Sequence, residues 1–185
     1  MTAVADSGSP PGAPAGSPLP DPRQTAQQLR PGLWQTINER YPGSMIRKDT
    51  LVPLAPLRRP LAAARLTLVS SCGVHLKSEP SLDVCHPFGD FRFQRVPSQA
   101  RHADLIIHQL KYPHDDADLD INVIFPIERL QELVSEGVLG GLTANFFSFI
   151  GYNMDPERFE RTVAADIARA VAEEEQADLA LLAAA

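Results

Sequence analysis

The stretch Arg65-Leu-Thr-Leu-Val-Ser-Ser-Cys-Gly73 decides the fold prediction, because a short apolar and β-branched run ends abruptly in small polar residues. Such a run is typical of a buried strand that feeds a turn. Three further runs have the same character, at residues 103–107, 141–147 and 177–182. We expect these four segments to form one sheet.

Two helical patterns separate the last three runs. Residues 126–137 place apolar side chains on one face between Pro126 and Gly137, and a longer pattern begins at Asp155. Alternating strands and helices indicate parallel strands joined by right-handed crossovers. The predicted fold class is therefore α/β, with a mostly parallel, Rossmann-like or flavodoxin-like sheet of about four strands and flanking helices. Residues 91–96 alternate weakly and are expected to add an edge strand or hairpin.

Composition and charge limit the possible classes of protein. The chain has 185 residues, of which 44% are hydrophobic and 22% charged, which suits one packed domain. We predict a disordered Pro/Gly/Ala-rich arm at 1–22 and a single α/β domain at 23–185, which starts with a short helix at 23–40 and an extended connection at 41–60. The net charge of -6 and the scattered basic residues argue against nucleic-acid binding. No segment resembles a secretory signal or a membrane span, so we expect a cytoplasmic protein without membrane contact.

The carboxyl ends of the predicted strands locate a candidate small-molecule site. In parallel sheets, ligands bind beyond those ends, where the loops converge. This rule selects the loops at 70–77 and 108–122 and the residues after the third strand. We predict catalytic roles for His75, Lys77, Cys72 and Asp120, and substrate-binding roles for Ser71, His108, Tyr112, Asn122, Ser148 and Tyr152.

Several of these residues also have a structural interpretation. Cys72 and His75 are close enough in sequence for the imidazole to activate a thiolate, yet a small Cys beside a Gly is more often a packed apolar residue. The side chains of residues 120–122 either bind ligand or cap the loop before the 126–137 helix. The acidic run at 173–175 is expected to form a solvated face.

Metal sites are the weaker alternatives. The acidic run at 114–120 contains possible ligands for a divalent ion, but its spacing matches no known loop motif and a solvated loop explains it better. A zinc site from Cys72, His75, Cys85 and His86 lacks a recognised spacing. We therefore predict no metal and no cofactor.

Four stretches occur in an order and at distances that are typical of one enzyme family: Gly73-Val-His-Leu-Lys-Ser78, Gly89-Asp90 ahead of Val96-Pro97, Asp120-Ile-Asn-Val-Ile-Phe-Pro-Ile-Glu-Arg-Leu130, and Phe149-Ile-Gly151. Together they resemble the selenoprotein B family of glycine, sarcosine, betaine and D-proline reductases, over residues 65–182. The resemblance implies reductive cleavage of a C–N bond next to a carbonyl, with a selenol or thiol as the nucleophile. It also implies pocket roles for His75, Lys77, Asp120 and Asn122, whereas Cys72 is a candidate from its chemistry alone.

In that family the redox-active selenocysteine or cysteine motif follows the strand that corresponds to 177–182, where this sequence has Ala183-Ala-Ala185. We therefore expect an oxidoreductase-family enzyme for an amino-acid-like or carbonyl compound that has been repurposed to a non-redox lyase, cyclase or biosynthetic tailoring step. Two alternatives stay open. One is a reductase whose redox group comes from a partner subunit or from Cys72, and the other is a non-catalytic binding or assembly subunit. A homodimer or a complex with a partner subunit is expected.

Overall fold

The structure is a computed structural model that describes residues 31–42 and 55–185. The chain divides between Tyr41 and Pro42 into two units. The first contributes helix α1 (Pro31–Arg40), within the helix predicted at 23–40. The predicted arm at 1–22 and most of the predicted connection at 41–60 lie outside the described residues. No helix in the described ranges is long and apolar enough to cross a membrane.

In residues 55–185 the chain forms seven strands: β1 (Arg65–Ser70), β2 (Val74–Leu76), β3 (Phe93–Pro97), β4 (Leu105–Ile107), β5 (Gly141–Leu142), β6 (Asn145–Phe149) and β7 (Leu179–Ala183). Five of them build the central sheet, with β1 in its interior. Strands β5 and β6 run parallel to β1 along one side, β7 runs parallel along the other, and β3 is antiparallel to β6. The fold is therefore mixed α/β with a mostly parallel sheet, as predicted, and β3 is the expected edge strand. A Rossmann-like or flavodoxin-like strand order is not confirmed.

The strand predicted at 103–107 is not part of the central sheet, which corrects the sequence-based topology. Strand β4 instead pairs antiparallel with β2 in a separate two-stranded sheet. Strand β2 leaves the direction of β1 because the chain turns sharply at Gly73, whose φ is +72°. Residues with a side chain rarely adopt this conformation, and glycine does so at little cost. An apolar run predicts a buried strand but does not identify its partner.

Three helices follow: α2 (Asp115–Leu119), α3 (Ile127–Ser135), and a long helix α4 over residues 156–174. Asp155 begins α4, because its carboxylate accepts the backbone N–H of Arg158 at 3.0 Å and Pro156 occupies the first turn. Two π-helical segments, Glu160–Ala164 and Ala170–Glu174, interrupt its α-helical turns. The predicted helices at 126–137 and after Asp155 are thus both present.

The core has two parts, on the two faces of the central sheet. Adjacent side chains of a strand point to opposite faces, and Phe146 and Phe147 of β6 accordingly belong to different apolar clusters. Helix α3 packs Ile127 and Leu130 into the cluster of Phe146, whereas Ile167 of α4 packs with Phe147. Both helices therefore cover the sheet, and the loops at its ends are left to form sites.

Candidate functional site

Polar side chains gather where β1 and β6 end, and we call Ser70, Cys72, Tyr112 and Ser148 the rim cluster. The Cys72 Sγ lies 3.7 Å from the Ser148 Oγ, and the Tyr112 hydroxyl donates to the Cys72 carbonyl oxygen at 2.8 Å. Ser70 Oγ donates to the Ile124 carbonyl oxygen at 3.2 Å. The structure thus brings together Cys72, Tyr112 and Ser148, although Tyr112 follows β4, which is not part of the central sheet. Ser70, Cys72 and Ser148 are buried, so the polar groups of this cluster mostly contact one another.

Burial governs the protonation of the rim cluster. It raises the pKa of the Cys72 thiol, although hydrogen bonds involving Ser70 and Ser148 act in the opposite direction. Burial also raises the pKa of the Tyr112 hydroxyl. Both groups are therefore protonated at neutral pH. Because the thiolate is the nucleophilic form of cysteine, this environment favours the packed interpretation of Cys72 over the catalytic one.

His75 and His108 form a second contact beside the rim. His75 is 4% exposed, its Nδ1 lies 2.8 Å from the Leu76 carbonyl oxygen, and its ring stacks on that of His108 with centroids 5.9 Å apart. Among the described residues, no group hydrogen-bonds to its Nε2. The Cys72 thiol contacts Ser148 rather than His75. The predicted thiol and imidazole are therefore near each other in the chain without forming a catalytic pair.

Asp120 and Asn122 serve the start of helix α3. The Asn122 Oδ1 accepts the backbone N–H groups of Glu128 at 3.0 Å and Arg129 at 3.3 Å. Its Nδ2 donates to Asp120 Oδ1 at 2.8 Å and to Glu128 Oε2 at 3.0 Å. The hydrogen bonds from Asn122 lower the pKa of the Asp120 carboxyl. Of the two interpretations of these residues, capping is the one that uses their polar atoms.

The last two predicted binding residues, Ser71 and Tyr152, are half-buried. Ser71 Oγ accepts the backbone N–H of Ala185 at 3.2 Å. The Tyr152 hydroxyl donates to the Pro87 carbonyl oxygen at 3.3 Å, and the Lys111 Nζ lies 4.3 Å from the centre of its ring. That geometry is a cation–π contact. Both side chains already have partners within the chain.

Lys77 lies apart from these groups and lines an open cavity of about 620 Å³ beside β4, which we call the side cavity. Its charged and titratable lining combines both signs: Lys77, Arg101, His102, Asp118 and Glu128. Apolar residues of β4 complete the wall. The volume falls in the range of small-molecule sites, and such sites typically combine an apolar lining with a few polar groups.

The cations of the side cavity keep hydrogen-bonding capacity for a ligand. The Lys77 Nζ donates one hydrogen bond, to the Ala103 carbonyl oxygen at 2.7 Å, and an ammonium group has three N–H donors. Lys77 and Arg101 are exposed residues. The Glu128 carboxylate is held in place, because its Oε2 accepts a hydrogen bond from the Asn122 side chain. Cations and a fixed carboxylate in one cavity suit a ligand that carries both a carboxylate and an amine.

Three residues of the side cavity are not predicted from the sequence: Arg101, His102 and Glu128. A strand at 103–107 in the parallel sheet would place residues 101–102 at the end opposite the predicted site. In the antiparallel pair Leu105 instead lies opposite Leu76, so the start of β4 lies beside Lys77. The only sequence signal was the pair Arg101-His102 directly before an apolar run.

Metal-binding groups do not assemble in the described parts of the chain. No set of three or more His, Cys, Asp or Glu side chains comes together there in a way that could hold an ion. Cys72 is buried, Cys85 is exposed, and both are free thiols. The run at 114–120 forms helix α2 and its flanks, with His114 paired to Asp118 at 2.8 Å.

The described chain is a mixed α/β protein with sequence similarity to a D-proline reductase subunit. The particular relative is the D-proline reductase subunit gamma of Acetoanaerobium sticklandii, which is 31% identical over 135 residues. The match covers 70% of this chain and 54% of that protein, so the chain spans about half the length of the curated relative it matches. No protein-family model matches the chain, and no solved structure does.

This relation refines the resemblance deduced from the sequence motifs. It supports the proline and glycine reductase family in general and does not single out selenoprotein B. The relative is described as a subunit of D-proline reductase. The expected conversion to a lyase or cyclase finds no support in it.

Proposed function

We propose that this chain is a component of a reductase that acts on an amino-acid-like or carbonyl compound, and that the side cavity binds this compound. One observation carries the proposal: a chain related to a D-proline reductase subunit has an open cavity in which Lys77 and Arg101 lie with Glu128 and Asp118. Lys77 is among the predicted catalytic residues and Asp118 lies in the predicted 108–122 loop, whereas Arg101 and Glu128 come from the structure.

The two signs of charge give the ligand an orientation. Lys77 and Arg101 are suited to a carboxylate, and Arg can bind it through two parallel hydrogen bonds. Glu128 and Asp118 are suited to the amine of the same molecule. Both acids already have a side-chain partner, since the Glu128 carboxylate bonds to Asn122 and the Asp118 carboxylate pairs with His114. Asn122 and Asp120 then act as positioning residues behind Glu128.

Reductive cleavage of a C–N bond also needs an electron donor. Cys72 is poorly suited to that role, because burial raises the pKa of its thiol and the thiolate is the reactive form. In this proposal the electrons come from a redox group of a partner subunit. The relative is itself described as one subunit of its reductase.

A calorimetric titration of the full chain tests the proposal, with D-proline as the ligand and glycine and L-proline for comparison. We expect D-proline to bind, and Lys77→Met and Arg101→Met each to weaken binding about tenfold or more, which is the effect of losing one charge-assisted hydrogen bond. Lys111→Met is the matched control. It removes the same charge from an exposed lysine that contacts Tyr152 outside the cavity.

Three results would contradict the proposal. Absence of binding for all three amino acids would favour an assembly subunit. Binding that is insensitive to Lys77→Met and Arg101→Met would exclude the side cavity. Binding that is lost in Ser148→Ala, with the cavity variants unchanged, would move the site to the rim cluster.

A further inference from the structure

Strand β7 presents an unprotected edge of the central sheet. Within the described residues it pairs with β1 on one side and with no strand on the other. Its outer backbone N–H and C=O groups are therefore available to another strand. Natural edge strands are usually protected by charged residues, Pro or a bulge. Residues 179–185, Leu-Ala-Leu-Leu-Ala-Ala-Ala, contain no charged residue and no Pro.

The surface next to this edge is apolar as well. Leu182 is 75% exposed and Leu181 is 38% exposed. A groove of about 540 Å³ lies between β7 and α4, and Phe159, Ile167 and Val171 contribute to its lining together with Leu182. We call the outer edge of β7 and this groove the edge surface. Exposed leucines beside an apolar groove are typical of a protein interface.

Charge argues for a second copy of this chain as the occupant. The chain carries a net charge of -6, so two copies repel each other over most approaches. The edge surface avoids that repulsion because β7 is uncharged. Asp178, just before the strand, is neutralised by Arg59, whose Nε lies 3.1 Å from its Oδ1. Two copies can therefore meet along residues 179–183 without opposing charged side chains.

The side chains of β7 also match those of a second β7. In an antiparallel pair centred on Leu181, the Leu182 of one copy lies opposite the Ala180 of the other, so a large residue meets a small one. Leu182 and Ala180 both line the groove, so each Leu182 covers the partner's groove margin. A two-fold dimer uses the same surface in both copies, which is the commonest arrangement of homo-oligomers.

We infer that this protein forms a two-fold dimer in which the β7 strands pair antiparallel and join two central sheets into one. The interface is independent of the side cavity, which lies beside β4. A dimer that forms without ligand binding, or binding without a dimer, would therefore separate this inference from the proposed function.

Light scattering coupled to size-exclusion chromatography tests the inference on the full chain. We expect a mass of twice the chain for the wild type. Leu182→Lys should weaken the dimer about a hundredfold or more, because two buried leucines are lost and two ammonium groups are brought near each other. Leu119→Lys is the matched control, since Leu119 is 83% exposed on α2 and the same substitution there should leave the dimer intact.

Amide hydrogen exchange adds a local readout. The amides of residues 179–183 should exchange more slowly as the wild-type concentration rises, and this dependence should vanish in Leu182→Lys. A wild-type monomer at all concentrations overturns the inference, and that result is expected if a segment of the same chain covers the edge. A dimer that resists Leu182→Lys, or one that Leu119→Lys also dissociates, overturns it too.

Discussion

The rim cluster and the side cavity contain similar kinds of residues and use them in opposite ways. In the rim cluster, Cys72 and Ser148 are buried and in contact, and the half-buried Tyr112 donates to the Cys72 carbonyl oxygen. In the side cavity, Lys77 and Arg101 are exposed, and in the described parts of the chain the Lys77 Nζ has a single acceptor. Buried polar groups that are mutually satisfied stabilise a fold, whereas open ones can exchange water for a ligand. The location of a loop at a strand end thus does not decide whether the loop forms a closed polar cluster or an open binding site.

Thiol labelling gives the largest expected difference, because it tests whether the rim cluster is closed. Cys85 is exposed and Cys72 is buried with a raised pKa. A thiol reagent at mildly alkaline pH should label Cys85 at once. Cys72 should react slower by a factor on the order of a thousand or more, since the structure has to open first. The measurement is the labelling rate of Cys85→Ser and Cys72→Ala variants, which isolates each thiol. Equal rates in the two variants would show that the rim cluster is open.

Gly73→Ala should lower the stability strongly, because Gly73 shapes the loop that carries Cys72 of the rim cluster. Its φ is +72°, and a Cβ there would lie 2.6 Å from the His108 carbonyl oxygen. We expect a loss of about 3 kcal/mol from the left-handed conformation and the clash together. Gly137→Ala is the control, with a φ of +74° and no atom within 4 Å of the added Cβ. Its expected cost is about 1 kcal/mol, from backbone strain alone. Chemical denaturation measures the free energy of unfolding of both variants. Equal losses would mean that the His108 carbonyl group moves away from the added Cβ at little cost.

These two regions also show which features of the structure could be predicted from the sequence. The apolar runs at 65–69 and 141–147, and the helix starts at Pro126 and Asp155, have strong local signals, and the structure contains each of those elements. Strand pairing has no such signal, so the run at 103–107 was assigned to the wrong sheet and Arg101 and His102 were missed. Glu175 shows the same limit. The acidic run at 173–175 was expected to be solvated, yet Glu175 is buried and accepts the backbone N–H of Ala144 at 2.7 Å.

The burial of predicted site residues was equally beyond the sequence. Cys72, Ser148 and Tyr112 come from three separate loops and strands, and whether they enclose a cavity or fill it depends on packing across the sheet. Asn122 illustrates the point, because its amide was expected either to bind ligand or to cap. Only the positions of the Glu128 and Arg129 N–H groups, within 3.3 Å of its Oδ1, decide between them.

Tyr112→Phe has the smallest expected effect and makes the sharpest comparison with Lys77→Met. The substitution removes one hydroxyl that donates to the Cys72 carbonyl oxygen and changes nothing else in shape. We expect a loss of about 1 kcal/mol in the free energy of unfolding, which is the net value of a typical hydrogen bond, and no change in the affinity for D-proline. Lys77→Met should do the reverse, since its Nζ makes one exposed hydrogen bond but lines the cavity. Denaturation and calorimetry on the same two variants test this crossed pattern. If Tyr112→Phe instead weakened ligand binding while the protein kept its full stability, the rim cluster would be the binding site and its polar groups would be serving a ligand rather than one another.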